Sequence, residues 1–174
     1  NSFSGSLTVR DGGTLSVPTT SATGSQPLGA GTGDIGLEAS ATLAITGAGT
    51  YNLPATRGLA LSASGGILNV SAGTVNMSGS ITGASNSAHF TKAGSGTFNY
   101  SGSGPWGGNF TVSGGTFNLT GGGAITGVGA TTVSGTLNIN TTESMKTASI
   151  DILSGGAVNL DAGTLRVGGG GLGP

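Results

Sequence analysis

Residues 96–100 read Gly-Thr-Phe-Asn-Tyr, and residues 114–119 read Gly-Gly-Thr-Phe-Asn-Leu. In both segments a glycine precedes a strict alternation of polar and apolar residues. A period of two is typical of a half-buried β-strand, and the glycine indicates a turn where the strand begins. Variants of the same unit recur at 12–17, 41–45, 49–53, 65–70, 73–77, 135–139, 155–160 and 163–167.

The distance between units predicts how the strands are arranged. From the first apolar residue of one unit to that of the next, Phe98 to Phe117 is 19 residues, and Phe117 to Leu137 is 20. A shorter spacing of seven residues separates Leu68 from Val75. Each period therefore holds two or three short strands, which favours a repeating coil over hairpins. We predict an all-β parallel β-solenoid of about seven rungs, formed as one domain over residues 1–174.

The composition supports such a coil and excludes several classes of protein. Glycine accounts for 38 of the 174 residues, only 6% of residues are charged, and the formal net charge is −1. A narrow coil needs few large apolar side chains, whereas nucleic-acid binding needs a basic patch that this chain lacks. No apolar run is long enough to predict a membrane span. The absence of cysteine excludes disulfides and thiolate metal sites.

Three segments lack the alternating pattern. Residues 18–34 and 101–109 contain proline and are predicted to be loop insertions at corners of the coil. Residues 168–174 are almost all glycine and predict a tail without a polar cap.

The stretch from Thr91 to Leu119 resembles the passenger-associated transport repeat of bacterial autotransporters. Its Lys-x-Gly-x-Gly-Thr opening corresponds to Lys92, Gly94, Gly96 and Thr97, and a second Gly-Thr-Phe follows at 115–117. Two features depart from the repeat: Pro105-Trp106 stands where Tyr-Thr is usual, and these 174 residues include no stretch that predicts a translocator barrel. The resemblance implies a right-handed parallel β-helix, secretion, and exposure at the bacterial cell surface, often in adhesins or self-associating proteins.

The sequence predicts no catalytic residue, metal site or cofactor. His89 is the only histidine, and we interpret it as a solvent-facing residue at the start of a strand. The acids lie in different rungs; Asp34 with Glu38, or Asp151 with Asp161, are the pairs that a polysaccharide-cleaving β-helix could use. That enzyme is the alternative to a non-catalytic chain.

Asparagine recurs between the two apolar residues of the unit. Period two turns these side chains outward, where stacked copies can form an amide ladder. The alternative interpretation is a sugar- or ice-binding face. The asparagines are Asn52, Asn69, Asn76, Asn99, Asn118, Asn138 and Asn159.

Trp106 lies in the second predicted loop and invites two interpretations. An exposed indole could stack on a sugar or on a neighbouring molecule, or it could fold back over its own rung.

These observations predict an extracellular structural protein at a bacterial surface. Low charge and a terminus without a cap favour head-to-tail self-association into a fibre, because unpaired strand edges template further strands. Alternatively, the ends continue into more rungs of a longer adhesin passenger, or the coil binds or cleaves polysaccharides. The partners predicted are further copies of the chain, with glycans or a cell surface as the alternative, and no nucleic acid.

Overall fold

The chain folds as a stack of short strands. A computed structural model describes residues 5–19, 28, 31–83, 86–140 and 142–168. Every regular element in these ranges is a strand, and none of them contains a helix that could cross a membrane. The strands are β1 (Leu7–Val9), β2 (Thr14–Pro18), β3 (Ile35–Leu37), β4 (Ala41–Thr46), β5 (Thr50–Asn52), β6 (Leu59–Leu61), β7 (Gly66–Val70), β8 (Thr74–Met77), β9 (Ile81–Gly83), β10 (Phe90–Ala93), β11 (Thr97–Tyr100), β12 (Ser103–Gly104), β13 (Phe110–Val112), β14 (Thr116–Leu119), β15 (Ala124–Val133), β16 (Thr136–Ile139), β17 (Ser144–Ile152), β18 (Ala157–Leu160) and β19 (Thr164–Val167).

The strands form three parallel sheets, of which the second extends from β2 to β19 and the first ends at β9. Four strands form the first sheet in the order β1-β3-β6-β9. The second follows the order β2-β4-β7-β10-β13-β15-β17-β19, with β12 beside β15, and the third follows β5-β8-β11-β14-β16-β18. Consecutive strands such as β6, β7 and β8 belong to three different sheets, so each turn in this part of the coil visits the three sheets in order. After β9 the strands belong to the second and third sheets. The predicted parallel β-solenoid is confirmed, with about six turns.

Equivalent residues of successive repeats lie directly above one another. Phe98 is in register with Val75 in the turn before and with Phe117 in the turn after. Phe117 is in register with Leu137, which is in register with Val158. The spacings of 19 and 20 residues that separate Phe98, Phe117 and Leu137 in the sequence are therefore each the length of one turn.

The core is a column of inward side chains between the three sheets. Its centre is aromatic: the Phe90 and Phe110 rings stack 6.0 Å apart, and the Phe110 and Phe117 rings meet edge to face at 4.9 Å. All three are fully buried. Because each strand supplies at most two or three inward positions, a glycine-rich chain still fills this column.

The segments predicted as loops differ from expectation in two places. Pro18 closes strand β2, and the rest of the 18–34 segment is described only at residues 19, 28 and 31–34. The 101–109 segment contains β12, whose Ser103 pairs with Ala124. That segment therefore follows the coil where a projecting loop was predicted. Of the predicted tail at 168–174, only Gly168 lies within the described residues.

Candidate functional site: the asparagine ladder and its groove

The third sheet carries an unbroken ladder of amide side chains. In each step the Nδ2 of one asparagine donates a hydrogen bond to the Oδ1 of the asparagine one turn earlier, over 2.6–2.8 Å. Five consecutive bonds join six turns. The members of this asparagine ladder are Asn52, Asn76, Asn99, Asn118, Asn138 and Asn159.

Local sequence explains why the amides align. In β11 the side chains of Phe98 and Tyr100 are buried in the core, so Asn99 between them faces outward. Parallel pairing places Asn99 beside Asn76 and Asn118 at the strand spacing of about 4.8 Å. An amide is both donor and acceptor, so each member can bond to the turn below and the turn above.

A row of threonines accompanies the ladder on the same face. Each lies two residues before a ladder asparagine, and successive members are in register with one another. The row consists of Thr50, Thr74, Thr97, Thr116 and Thr136. The outer face of this sheet is therefore a regular two-row polar array.

Asn69 is the one predicted ladder residue that the structure places elsewhere. It lies on β7 of the second sheet, in register with Ala44 on one side and Ala93 on the other. Neither alanine offers an amide partner, and the buried Oδ1 of Asn69 makes no hydrogen bond. The same local sequence unit thus gives a ladder only where neighbouring turns also carry asparagine.

A groove runs beside the early part of the ladder. Its volume is about 460 Å³. Alternation along each strand places Asn76 and Ser78 outward on either side of the inward Met77, and the next turn repeats this with Asn99 and Ser101. None of the residues that line it is charged. The lining residues are Asn52, Leu53, Asn76, Met77, Ser78, Asn99, Ser101 and Thr120.

Trp106 is buried in the core. Its relative exposure is 0%, and its ring meets Phe90 at 5.5 Å and Phe110 at 5.6 Å, edge to face in both cases. Of the two interpretations of this residue, the structure shows the one in which the indole packs over its own coil. The ring is therefore not accessible to a ligand at the surface.

The two acids of the first predicted pair, Asp34 and Glu38, each have another partner. The Oδ1 of Asp34 accepts a hydrogen bond from the Gly58 amide at 2.9 Å. Glu38 pairs with Arg10 across 3.3 Å, where both side chains are largely exposed. Asp151 and Asp161 are exposed near the far end of the coil.

His89 also contacts the backbone of a neighbouring turn. The Asn109 amide donates to its Nδ1 at 2.9 Å, while the residue as a whole remains exposed. Within the described residues no three histidine, aspartate or glutamate side chains come together as a metal site would require.

Sequence reasoning missed a buried lysine. Lys92 is fully buried, and its Nζ donates to the carbonyls of Ala93, Gly94 and Gly114 over 2.9–3.0 Å. Burial lowers the pKa of Lys92 to about 8, because the charged ammonium loses its hydration. The sequence did carry a signal for this burial. Lys92 lies two residues after the buried Phe90 on the same strand, so alternation turns both side chains toward the core.

Glu143 is a second buried charged residue that the sequence did not reveal. Its Oε1 accepts a hydrogen bond from the Gly122 amide of the preceding turn at 2.7 Å. Glu143 thus caps a backbone donor at the corner of the preceding turn.

Comparison of the chain with protein-family models, with curated proteins and with solved structures found no match in any of the three. The class that the structure defines is therefore a parallel β-solenoid with an asparagine ladder. The resemblance to the autotransporter passenger repeat stays a prediction, and function has to be argued from the surfaces of the coil.

Proposed function

We propose that this chain is an extracellular structural β-solenoid of a bacterial surface, which associates end to end into a rod. The observation that carries the proposal is the open apolar end of the coil at β17, β18 and β19. A second copy of the same chain is the occupant that we propose for that end.

Core positions in the last turn are uncovered. Leu160 is 54% exposed, whereas Ile139, its register partner one turn earlier, is fully buried. Ile152 is likewise 54% exposed above the buried Val133. All the large apolar side chains that the described residues expose lie in this turn, and the other two are Leu153 and Val167. Covering them removes apolar area from water, which favours association.

The opposite end offers a complementary edge. Within the described ranges β1 pairs only with β3, and β2 pairs only with β4. Leu7, Val9 and Leu15 pack at the edge of the core and are only partly buried. Since every strand pair in the coil is parallel, a head-to-tail junction extends the same hydrogen-bonding pattern. A head-to-tail contact does not close on itself and generates an open filament.

The extracellular location is supported by the sequence resemblance and by the surface chemistry. A charge-poor coil held by repeated parallel pairing and side-chain ladders suits a mechanical role. The chain has no cysteine, and its described residues form no metal-ligating cluster, so neither feature suggests a different role.

Electron microscopy of negatively stained protein tests the assembly, together with sedimentation over a range of concentrations. One chain of about six turns is roughly 30 Å long at the parallel strand spacing, so end-to-end association gives longer rods of unchanged width. Leu160→Lys places a charge on the open end and should shorten the rods. It spares the fold, because Leu160 is already half exposed.

Ser103→Lys is the matched control, because Ser103 is exposed on β12 away from both ends. We expect this variant to assemble as the parent does. A parent chain that sediments as a monomer at every concentration would show that self-association is wrong and that further coils of a longer passenger cover the end. Equal shortening by both substitutions would also contradict the proposal.

A further inference from the structure

We propose that the groove beside the asparagine ladder binds a neutral, linear polysaccharide whose chain runs parallel to the axis of the coil. This binding role is separate from the end-to-end assembly proposed above, since the groove lies on the side of the coil and is complete in a single chain.

Shape and charge favour an extended, uncharged ligand. The groove volume of about 460 Å³ falls within the range of roughly 300–1,000 Å³ that small-ligand sites occupy. The six strands of the third sheet carry no charged residue, and neither do the residues that line the groove. Anionic or cationic ligands would find no counter-charge there, whereas hydroxyl groups would find polar partners.

The ladder leaves half of its hydrogen-bonding capacity unused. An asparagine side chain has two N–H donors and two acceptor lone pairs. Asn76 uses one donor toward Asn52 and one lone pair toward Asn99. One donor and one acceptor remain, and sugar hydroxyls can both accept from and donate to such a group.

The spacing of these groups suits a repeating ligand. The ladder presents one amide per turn, about 4.8 Å apart, and this distance is comparable with the length of one sugar unit in an extended glycan. Ser78, Ser101 and Thr120 supply one hydroxyl per turn along the same groove. A glycan lying along the axis would thus meet the same amide and hydroxyl at each sugar.

The ladder bonds also hold the binding groups in place. Each interior amide is fixed by two neighbours, so little side-chain freedom is lost when a ligand binds. Rigid polar groups in a repeating array favour recognition of a regular polymer over a small, irregular solute.

The test uses the whole chain and named sugars. Isothermal titration calorimetry with the hexasaccharides of cellulose, xylan, chitin and amylose is combined with pull-down on insoluble cellulose and chitin. We expect binding to at least one of these neutral glycans. Ser78→Arg fills the groove without touching a ladder bond and should weaken that binding at least tenfold.

Ser64→Arg is the matched control, because Ser64 is exposed at the corner between β6 and β7 and is not among the residues that line the groove, so it should leave binding unchanged. Circular dichroism confirms that both variants keep the parent fold, and Thr120→Arg provides a second groove variant if Ser78→Arg does not fold. Failure to bind any neutral glycan, or equal binding by the groove variant and the control, would overturn the proposal. Tighter binding of the anionic polygalacturonate than of every neutral glycan would overturn it as well. Rod formation is read separately by microscopy and can succeed or fail independently.

Discussion

Asn99 receives a hydrogen bond from Asn118 at 2.7 Å and donates one to Asn76 at 2.8 Å, so a single amide links three turns of the coil. The same three residues are in register through their backbones. Backbone and side-chain ladders therefore run together along the third sheet. This places part of the stability of the coil on its outer surface, whereas most domains concentrate stability in the core.

Asn99→Ala should lower the free energy of unfolding by about 1–2 kcal/mol, since it removes two partly buried hydrogen bonds. Asn159→Ala is the matched substitution at the exposed end of the ladder, where only one bond is lost, and it should cost about 0.5 kcal/mol. Urea unfolding followed by circular dichroism measures both values. Equal losses at the two positions would contradict a separate contribution from the second ladder bond of Asn99.

Trp106 gives a second prediction because it is the only tryptophan of the chain. Buried between Phe90 and Phe110, it should emit at a short wavelength and resist quenching by acrylamide. Trp106→Ala opens a cavity and should cost about 3–5 kcal/mol. Trp106→Phe should cost less, since the indole Nε1 has no hydrogen-bond partner to lose. Solvent-exposed emission from the native protein would contradict the buried position.

The sequence was sufficient to predict the coil because the spacing between repeat units in the sequence sets which residues of neighbouring turns lie in register. The step from Phe98 to Phe117 is both one repeat in the sequence and one pair of neighbours in the sheet. Alternation likewise predicted which side of each strand faces the core. Strand type, parallel stacking and the outward row of asparagines all depend on this local periodicity.

What the sequence did not reveal depends on contacts between turns. Asn69 has the local sequence of a ladder residue, but its neighbours in the sheet are Ala44 and Ala93. Trp106 lies in a segment without alternation, so no period indicates that its ring turns inward. The groove itself is lined by four consecutive turns and cannot be seen in any one repeat.

Glycine at the corners gives a third prediction. Gly73 has φ near +68°, and a Cβ added there would collide with backbone atoms of Ala48 and Gly49 in the turn before. Gly155 has φ near +82°, but a Cβ there would meet nothing within 4 Å. Gly155→Ala carries only the backbone strain of about 1–2 kcal/mol, whereas Gly73→Ala adds the collision and should cost clearly more. Thermal unfolding of the two variants makes the comparison, and a similar loss in both would contradict close packing between turns.

Stability should rise with pH between about 8 and 10. Burial lowers the pKa of Lys92 from 10.5 to about 8, so in this range the unfolded chain binds a proton that the folded chain has released. The free energy of unfolding rises with pH wherever the unfolded state binds more protons. At about 1.4 kcal/mol for each unit of pKa, the rise should be about 2 kcal/mol. Lys92→Met should abolish it, as measured by urea unfolding at several pH values.

Above pH 10 the trend should reverse, and this separates the lysine from the buried tyrosines. Burial raises the pKa of Tyr100 to about 12 and also raises the pKa of Tyr51 above 10. The folded chain then holds protons that the unfolded chain has lost, so stability falls as pH rises through this range. The fall should persist in Lys92→Met and should be smaller in Tyr100→Phe. A parent chain with constant stability from pH 8 to 12 would show that neither Lys92 nor Tyr100 is buried as the structure has them.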